Sequence, residues 1–134
     1  MIVDTGVLYA AIDADDAQHE RSVDVLRRTG PKVITDAIVV ETDWLVQRRL
    51  GVDGEVGFLD GLAGGSIVVE PLQERDRSRA RELIAGYRDA RIGYVDATTV
   101  AVAERLGERV IATLDRRHFQ LIKPRHTEAF EIVP

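Results

Sequence analysis

Four acidic residues occupy positions from which they could act together on one ligand. Asp4 follows the apolar run "MIV" and Asp115 follows "VIATL", so each acid closes a stretch typical of a buried strand. Asp96 precedes the uncharged helical run 97–103, and Glu41 follows "AIVV" in another apolar helical segment. Carboxylates that converge repel one another, and an uncompensated buried carboxylate costs several kcal/mol. Mg²⁺ or Mn²⁺ relieves that repulsion, because both ions prefer carboxylate oxygen and water and commonly bridge to phosphate. The pattern therefore predicts a metal site suited to phosphodiester chemistry.

Each acid taken singly also has an ordinary structural explanation. Asp4 could form a turn, Asp96 could cap a helix with Thr99 as its partner, and Glu41 could be a solvated helix residue. Asp115 could open a polar turn. These alternatives stay open for each residue, and the combination of two strand-terminal acids with two acids in apolar helices favours the metal site.

The opening triplet Asp4-Thr5-Gly6 also matches the catalytic triplet of aspartic proteases. Those enzymes need two aspartates that share one proton, and the chain contains no second Asp-Thr-Gly or Asp-Ser-Gly. Helical segments follow the triplet, whereas the retroviral-type protease fold is nearly all β. The sequence therefore argues against a protease.

The elements that must position the acids alternate along the chain. Apolar runs predict five strands at 2–3, 32–35, 66–70, 109–113 and 128–133. Helical patterns fall at 15–28, 36–50, 74–91 and 94–107, with a weak glycine-rich helix at 51–65. Such alternation in 134 residues is typical of one α/β domain with a parallel sheet and helices on both faces. Ligands bind such sheets at the carboxyl ends of the strands, where the strand order reverses. Asp4 and Asp115 are expected to be neighbours if the first and fourth strands flank that point.

Composition narrows the class of protein. The net charge is −5 and there is no cysteine, which excludes disulfides, Cys-zinc sites and thiol catalysis. No long apolar run or basic leader is present, so we expect no membrane span, no secretory signal and a cytoplasmic protein. The acidic balance argues against simple coating of nucleic acid, but a metal nuclease needs acids of its own.

Basic residues fall in two groups. Arg116, Arg117 and His118 directly follow Asp115 and could contact RNA phosphates beside a metal. The arginines between positions 75 and 91 are mixed with acids, which predicts a solvated helix face.

The chain resembles the PIN domain, and within it the VapC-type toxin ribonucleases of toxin–antitoxin pairs. The resemblance rests on "MIVDTGVLYA", "ITDAIVVETDWLV", "RIGYVDATTVAVAERLG" and "VIATLDRRHF", in that order. It covers essentially residues 1–134 and implies a PIN-like three-layer α/β/α fold with a five-stranded, mainly parallel sheet. It further implies an endoribonuclease that hydrolyses structured RNA, such as tRNA or rRNA, with a metal-activated water.

The resemblance also assigns roles to residues. The family's acidic quartet, which holds one or two Mg²⁺ or Mn²⁺ ions, is matched by Asp4, Glu41, Asp96 and Asp115. Thr113 matches a position whose hydroxyl group would support those ligands. Gly6 departs from the pattern, because many members have Ser or Thr there, which leaves Thr5 and Thr113 as the hydroxyl groups that could take over that role.

Partners follow from the same resemblance. It implies a homodimer and a small cognate VapB-type antitoxin, with the glycine-rich helix as a wall of the antitoxin groove. Two other functions stay open. A receiver-type phosphoacceptor domain would need an aspartate after the third strand, where the chain has Glu70-Pro71. An inactive PIN domain would act only as a binding module.

Overall fold

Five short strands form a single sheet in which every neighbouring pair is parallel. The computed structural model describes all 134 residues. The strands are β1 (Ile2–Val3), β2 (Val33–Thr35), β3 (Val68–Glu70), β4 (Val110–Ala112) and β5 (Glu131–Val133). Their order is β3-β2-β1-β4-β5, and the pairing is parallel throughout. The predicted five-stranded α/β fold is confirmed.

The strand order reverses between β1 and β4. The chain builds β2 and β3 on one side of β1 and then crosses to place β4 and β5 on the other side. Ile2 pairs with Ile111 and Val3 with Ala112, so the residues that follow β1 and β4 emerge at the same edge. The predicted switch point is confirmed, and it is where a sheet of this kind forms a ligand crevice.

Six α-helices cover the two faces of the sheet. They are α1 (Thr5–Ile12), α2 (His19–Arg27), α3 (Asp36–Ala63), α4 (Glu74–Gly86), α5 (Tyr94–Leu106) and α6 (Arg116–Leu121). A 3-10 turn at Arg88–Ala90 links α4 to α5. No helix is both long enough and apolar enough to cross a membrane.

The two sides of the sheet carry separate cores. Ile2 and Ile111 pack with α4 and α5, while Val3 and Ala112 pack with α1, α2 and the start of α3. Residues 97–103 of α5 are all buried, as their uncharged sequence predicts. Helix α5 thereby holds Asp96 at the margin of the core.

Two local features of the sequence are misleading. Thr5-Gly6 suggests a turn after Asp4, but it is the first turn of α1, because Asp4 accepts a hydrogen bond from the Thr5 backbone N–H and caps the helix. Asp36 is a typical capping residue, but Thr35 caps α3 through its hydroxyl group. The sequence pattern predicts neither α1 nor α6.

The glycine-rich segment is a continuation of α3. Gly51 adopts φ 75° and ψ −169° inside it, and the helix kinks there. That conformation is open essentially to glycine alone, so Gly51 allows one helix to change direction.

Candidate active site

Asp4 lies at the switch point of the sheet and is the one buried acid of the four. Asp4 directly follows β1, and 8% of its surface is exposed to solvent. Its Oδ1 accepts the Thr5 backbone N–H at 2.8 Å, and its Oδ2 accepts the Thr113 hydroxyl at 2.7 Å. These two bonds fix the carboxylate plane because each oxygen has its own donor.

Thr113 ties the ends of β1 and β4 together. Its hydroxyl oxygen donates to Asp4 and accepts the backbone N–H of Asp115 at 3.0 Å. Thr113 is 1% exposed, so neither bond competes with bulk water. Asp115 is exposed and caps α6, with Oδ1 accepting the Arg117 N–H at 3.1 Å.

The other two acids are each held by one neighbour. Thr5 donates its hydroxyl to Glu41 Oε2 at 2.6 Å, which joins α1 to α3. Asp96 lies in the first turn of α5, where the helix dipole favours a carboxylate. Its Oδ2 is 2.7 Å from His118 Nδ1, and the other ring nitrogen lies 3.2 Å from the Ala90 carbonyl oxygen.

One of the ordinary explanations for these acids fails. Gly93 occupies the cap position of α5, so Asp96 is not a capping residue, and Thr99 is buried without a hydrogen-bond partner. Glu41 is exposed, as a solvated helix acid would be, and it also accepts a hydrogen bond from the Thr5 hydroxyl. Asp4 and Asp115 do cap helices, which is compatible with a ligand role because each has further lone pairs.

Burial and neighbouring negative charge raise the pKa of Asp4. Desolvation is the largest cause, and the Asp96 and Glu41 carboxylates add to it, against the bonds from Thr113 and Thr5. The result is a pKa of about 6, compared with an ordinary value of 3.8. Asp4 is therefore an acid that lacks a cation partner within the protein.

The residues suit a divalent cation by chemistry but are not gathered around one. No group of three or more acidic or histidine side chains is close enough to hold a metal ion, since Glu41 and Asp96 are turned toward Thr5 and His118. The donor set is nonetheless all oxygen, and the raised pKa of Asp4 shows that its neighbours Asp96 and Glu41 act on it electrostatically. Carboxylate oxygen under mutual repulsion is what Mg²⁺ or Mn²⁺ relieves.

The predicted RNA-binding residues lie at the margin. Arg116 and Arg117 are both exposed on α6, and the Arg116 guanidinium donates to the Pro134 carbonyl oxygen. His118 was grouped with them in the sequence, but the structure places it against Asp96 instead. In the sequence, the signal for a role of His118 was its position one helical turn after Asp115. The fold shows that the acid it contacts is Asp96.

The all-parallel sheet, with acids directly after β1, in α3, in α5 and at the cap of α6, defines the class of protein. The chain belongs to the PIN domain family, whose characteristic sequence matches residues 1–123. It is 36% identical to Ribonuclease VapC26 of Mycobacterium tuberculosis, over the full length of both chains.

Solved structures share the fold. VapC20 of Mycobacterium tuberculosis, a toxin that cleaves the Sarcin-Ricin loop, superposes with a TM-score of 0.77 and 23% identity, over 82% of this chain and 85% of its own. FitAcB from Neisseria gonorrhoeae gives a TM-score of 0.65 and 19% identity, over 88% and 89%. The predicted resemblance is confirmed.

Family membership removes one of the two open alternatives. A receiver-type domain is not supported, because the chain is a PIN domain. Glu70, at the end of β3, is engaged in an ion pair with Arg105 at 2.6 Å. An inactive PIN module stays open, because it would share the fold and differ from an active one only in its site.

Proposed function

We propose that the chain is a Mg²⁺- or Mn²⁺-dependent endoribonuclease and the toxin of a toxin–antitoxin pair. The observation that carries this proposal is the buried Asp4, whose pKa is raised by burial and by two neighbouring carboxylates, at the switch point of a PIN fold. The likeness to Ribonuclease VapC26 supports RNA as the substrate, and cellular RNA as substrate means that the protein acts in the cytoplasm.

Each of the four acids has a proposed role in binding the metal or the attacking water. Asp4 and Asp96 are the proposed principal ligands, with Asp115 as a direct or water-mediated ligand. Glu41 orients the attacking water or binds a second ion. A bound cation supplies a water of lowered pKa and neutralises charge on the phosphodiester.

The supporting residues keep these acids in place. Thr113 holds the Asp4 carboxylate and the Asp115 backbone at once, and Thr5 holds Glu41. His118 restrains Asp96. Arg116 and Arg117 are exposed beside Asp115 and contact phosphates of the bound RNA.

The proposed antitoxin contact is the second half of α3. Val52, Val56 and Leu59 are spaced along one helical face and are 68%, 51% and 46% exposed. Leu62 continues the same helical spacing in the sequence, but it packs against the core instead. Loss of neutralisation by the cognate antitoxin in Val56→Asp and Leu59→Asp would support this contact, and unchanged neutralisation would remove it.

A homodimer is the proposed assembly. Val40 and Trp44 are 69% and 55% exposed on the first half of α3, one helical turn apart, and burying them in a second copy removes apolar surface from water. Sedimentation of the wild type beside Trp44→Glu tests this. A monomeric wild type would contradict it.

Cleavage of total bacterial RNA tests the activity. The purified chain is incubated with Mn²⁺, with Mg²⁺ or with EDTA, beside Asp96→Asn and Asp15→Asn. Asp15 is exposed and its carboxylate makes no hydrogen bond, so its variant removes one negative charge away from the site.

The nuclease predicts discrete, metal-dependent fragments from the wild type and from Asp15→Asn, and none from Asp96→Asn. Equal cleavage by all three proteins would indicate a contaminating nuclease. No cleavage of total RNA or of an isolated Sarcin-Ricin loop hairpin by the folded wild type would favour the inactive binding module.

A further inference from the structure

Four arginines line a pocket beside the site, on the surface of α4 and its connection to α5. The pocket has a volume of about 580 Å³ and is lined by Arg77, Arg81, Arg88 and Arg91 together with Ile84 and Tyr94. The first three arginines follow helical spacing, at positions 77, 81 and 88. They therefore lie along one side of α4 and the turn that follows it.

These guanidinium groups have no partner within the protein. All four arginines are exposed, and none of the eight ion pairs involves them. Other arginines of the same region are fully engaged, since Arg79 pairs with Glu104 at 2.8 Å and Arg105 with Asp76 at 3.0 Å.

The arginines are solvated, as the sequence predicts, but four of them also line one pocket. Two acids of this helix, Asp76 and Glu82, pair with other arginines. The chain has a net charge of −5, but the lining of this pocket has four positive charges and no acid. The pocket therefore has a strong local positive potential.

Arg91 gives an independent reason to regard the pocket as functional. It is the only residue other than glycine with a positive φ, at 53°. A residue with a Cβ atom is held in this left-handed region at a cost in folding free energy, and such residues cluster at functional sites. The strained backbone presents the Arg91 side chain to the pocket.

The pocket adjoins a groove that contains one of the four acids. Tyr94 lines both the pocket and this groove, which contains Glu41. Asp96 follows Tyr94 by two residues, in the first turn of the same helix. A strand of RNA that crosses Tyr94 would therefore reach from the arginines to the acids.

We infer that the pocket formed by Arg77, Arg81, Arg88 and Arg91 binds backbone phosphates of the RNA flanking the scissile bond, a role that rests on the proposed nuclease function. Guanidinium groups present paired donors that match phosphate oxygens. Contacts of this kind fix the register of a nucleic acid without reading its sequence. The four arginines are thus positioning residues, and the acids carry the chemistry.

The test measures RNA binding in EDTA, where no metal-dependent cleavage takes place. A fluorescein-labelled RNA hairpin is titrated with the wild type, with Arg81→Gln/Arg88→Gln and with Arg21→Gln/Arg27→Gln. The control pair lies on α2, which packs against the opposite face of the sheet, and loses the same charge.

The pocket variant is expected to bind roughly tenfold more weakly than the wild type, and its slope of log affinity against log salt falls by about 1.5, since each phosphate contact contributes about 0.7–0.9. The control is expected to change by less than about twofold. Equal losses in both variants, or wild-type binding and slope in the pocket variant, would overturn the assignment.

A second variant separates binding from folding. Arg91→Gly relieves the left-handed backbone, so it is expected to raise the melting temperature while weakening RNA binding. A purely structural Arg91 would leave RNA affinity unchanged. Retained RNA binding with lost affinity for polyglutamate would identify an acidic protein partner instead, and would also overturn the assignment.

Failure of the two proposals is distinguishable. Binding that depends on the pocket, in a chain that cuts no RNA with Mn²⁺, would refute the nuclease and leave the RNA contact. Metal-dependent cleavage with pocket-independent binding would refute only the contact.

Discussion

Replacing Asp4 with asparagine is expected to stabilise the metal-free protein at neutral pH. The carboxylate is buried beside Asp96 and Glu41, and its pKa is about 6 in the folded protein against an ordinary 3.8. The folded state therefore holds its proton more tightly than the unfolded state does. Stability contributed by the protonated form is fully present below pH 3.8 and is lost as the pH rises to about 6.

The size of the effect follows from the two pKa values. At about 1.4 kcal/mol for each pH unit between them, ionised Asp4 costs the folded state up to about 3 kcal/mol above pH 6. Asparagine keeps the shape and can still accept the Thr5 N–H. Its amide can donate to the Thr113 hydroxyl oxygen, which then donates to the Asp115 carbonyl oxygen, 3.2 Å away. For a domain of this length, about 3 kcal/mol corresponds to a rise of roughly 10 °C in melting temperature.

Thermal melts in EDTA from pH 4 to pH 8 measure this difference, with Asp15→Asn as the exposed control. The gap between Asp4→Asn and the wild type should be small at pH 4, grow toward pH 6 and then stay level. Adding Mn²⁺ should raise the melting temperature of the wild type at pH 7 and leave Asp4→Asn unchanged. A gap independent of pH, or a variant less stable than the wild type at pH 7, would refute the electrostatic reasoning.

Three further substitutions test other parts of the structure. Thr113→Val removes the donor to Asp4 and should lower the free energy of unfolding by about 1–3 kcal/mol and weaken Mn²⁺ binding. Thr113→Ser should restore both. Urea unfolding and calorimetry measure the two effects. Arg105→Ala leaves the buried Asp76 without its ion-pair partner and should lower the free energy of unfolding in urea by about 3–5 kcal/mol. A loss below about 1 kcal/mol, which is typical of an exposed pair, would contradict the buried character of this pair. Gly6→Ser should fold with an unchanged or slightly higher melting temperature, because an added Cβ meets Leu114 at an ordinary 3.6 Å and serine is the better helix residue; a marked drop in melting temperature would show that glycine is required.

The sequence by itself determined the layers and the edge of the sheet that carries the site. Short apolar runs alternating with helical patterns identified all five strands, because strand and helix periodicity are local properties of the chain. An acid directly after β1, and another three residues after β4, are likewise visible in the chain, and the parallel topology brings them to one edge.

Tertiary structure alone decided which side chain meets which. Thr113 reaches Asp4 across the sheet, His118 meets Asp96 from a helix that the sequence did not predict, and the acids do not gather into a three-ligand group. These contacts join residues far apart in the chain, so no local pattern encodes them. The arginines of α4 illustrate the same limit: whether one pairs with Glu104, as Arg79 does, or lines the pocket depends on which face of the helix packs against α5, and packing is settled only when the whole core forms.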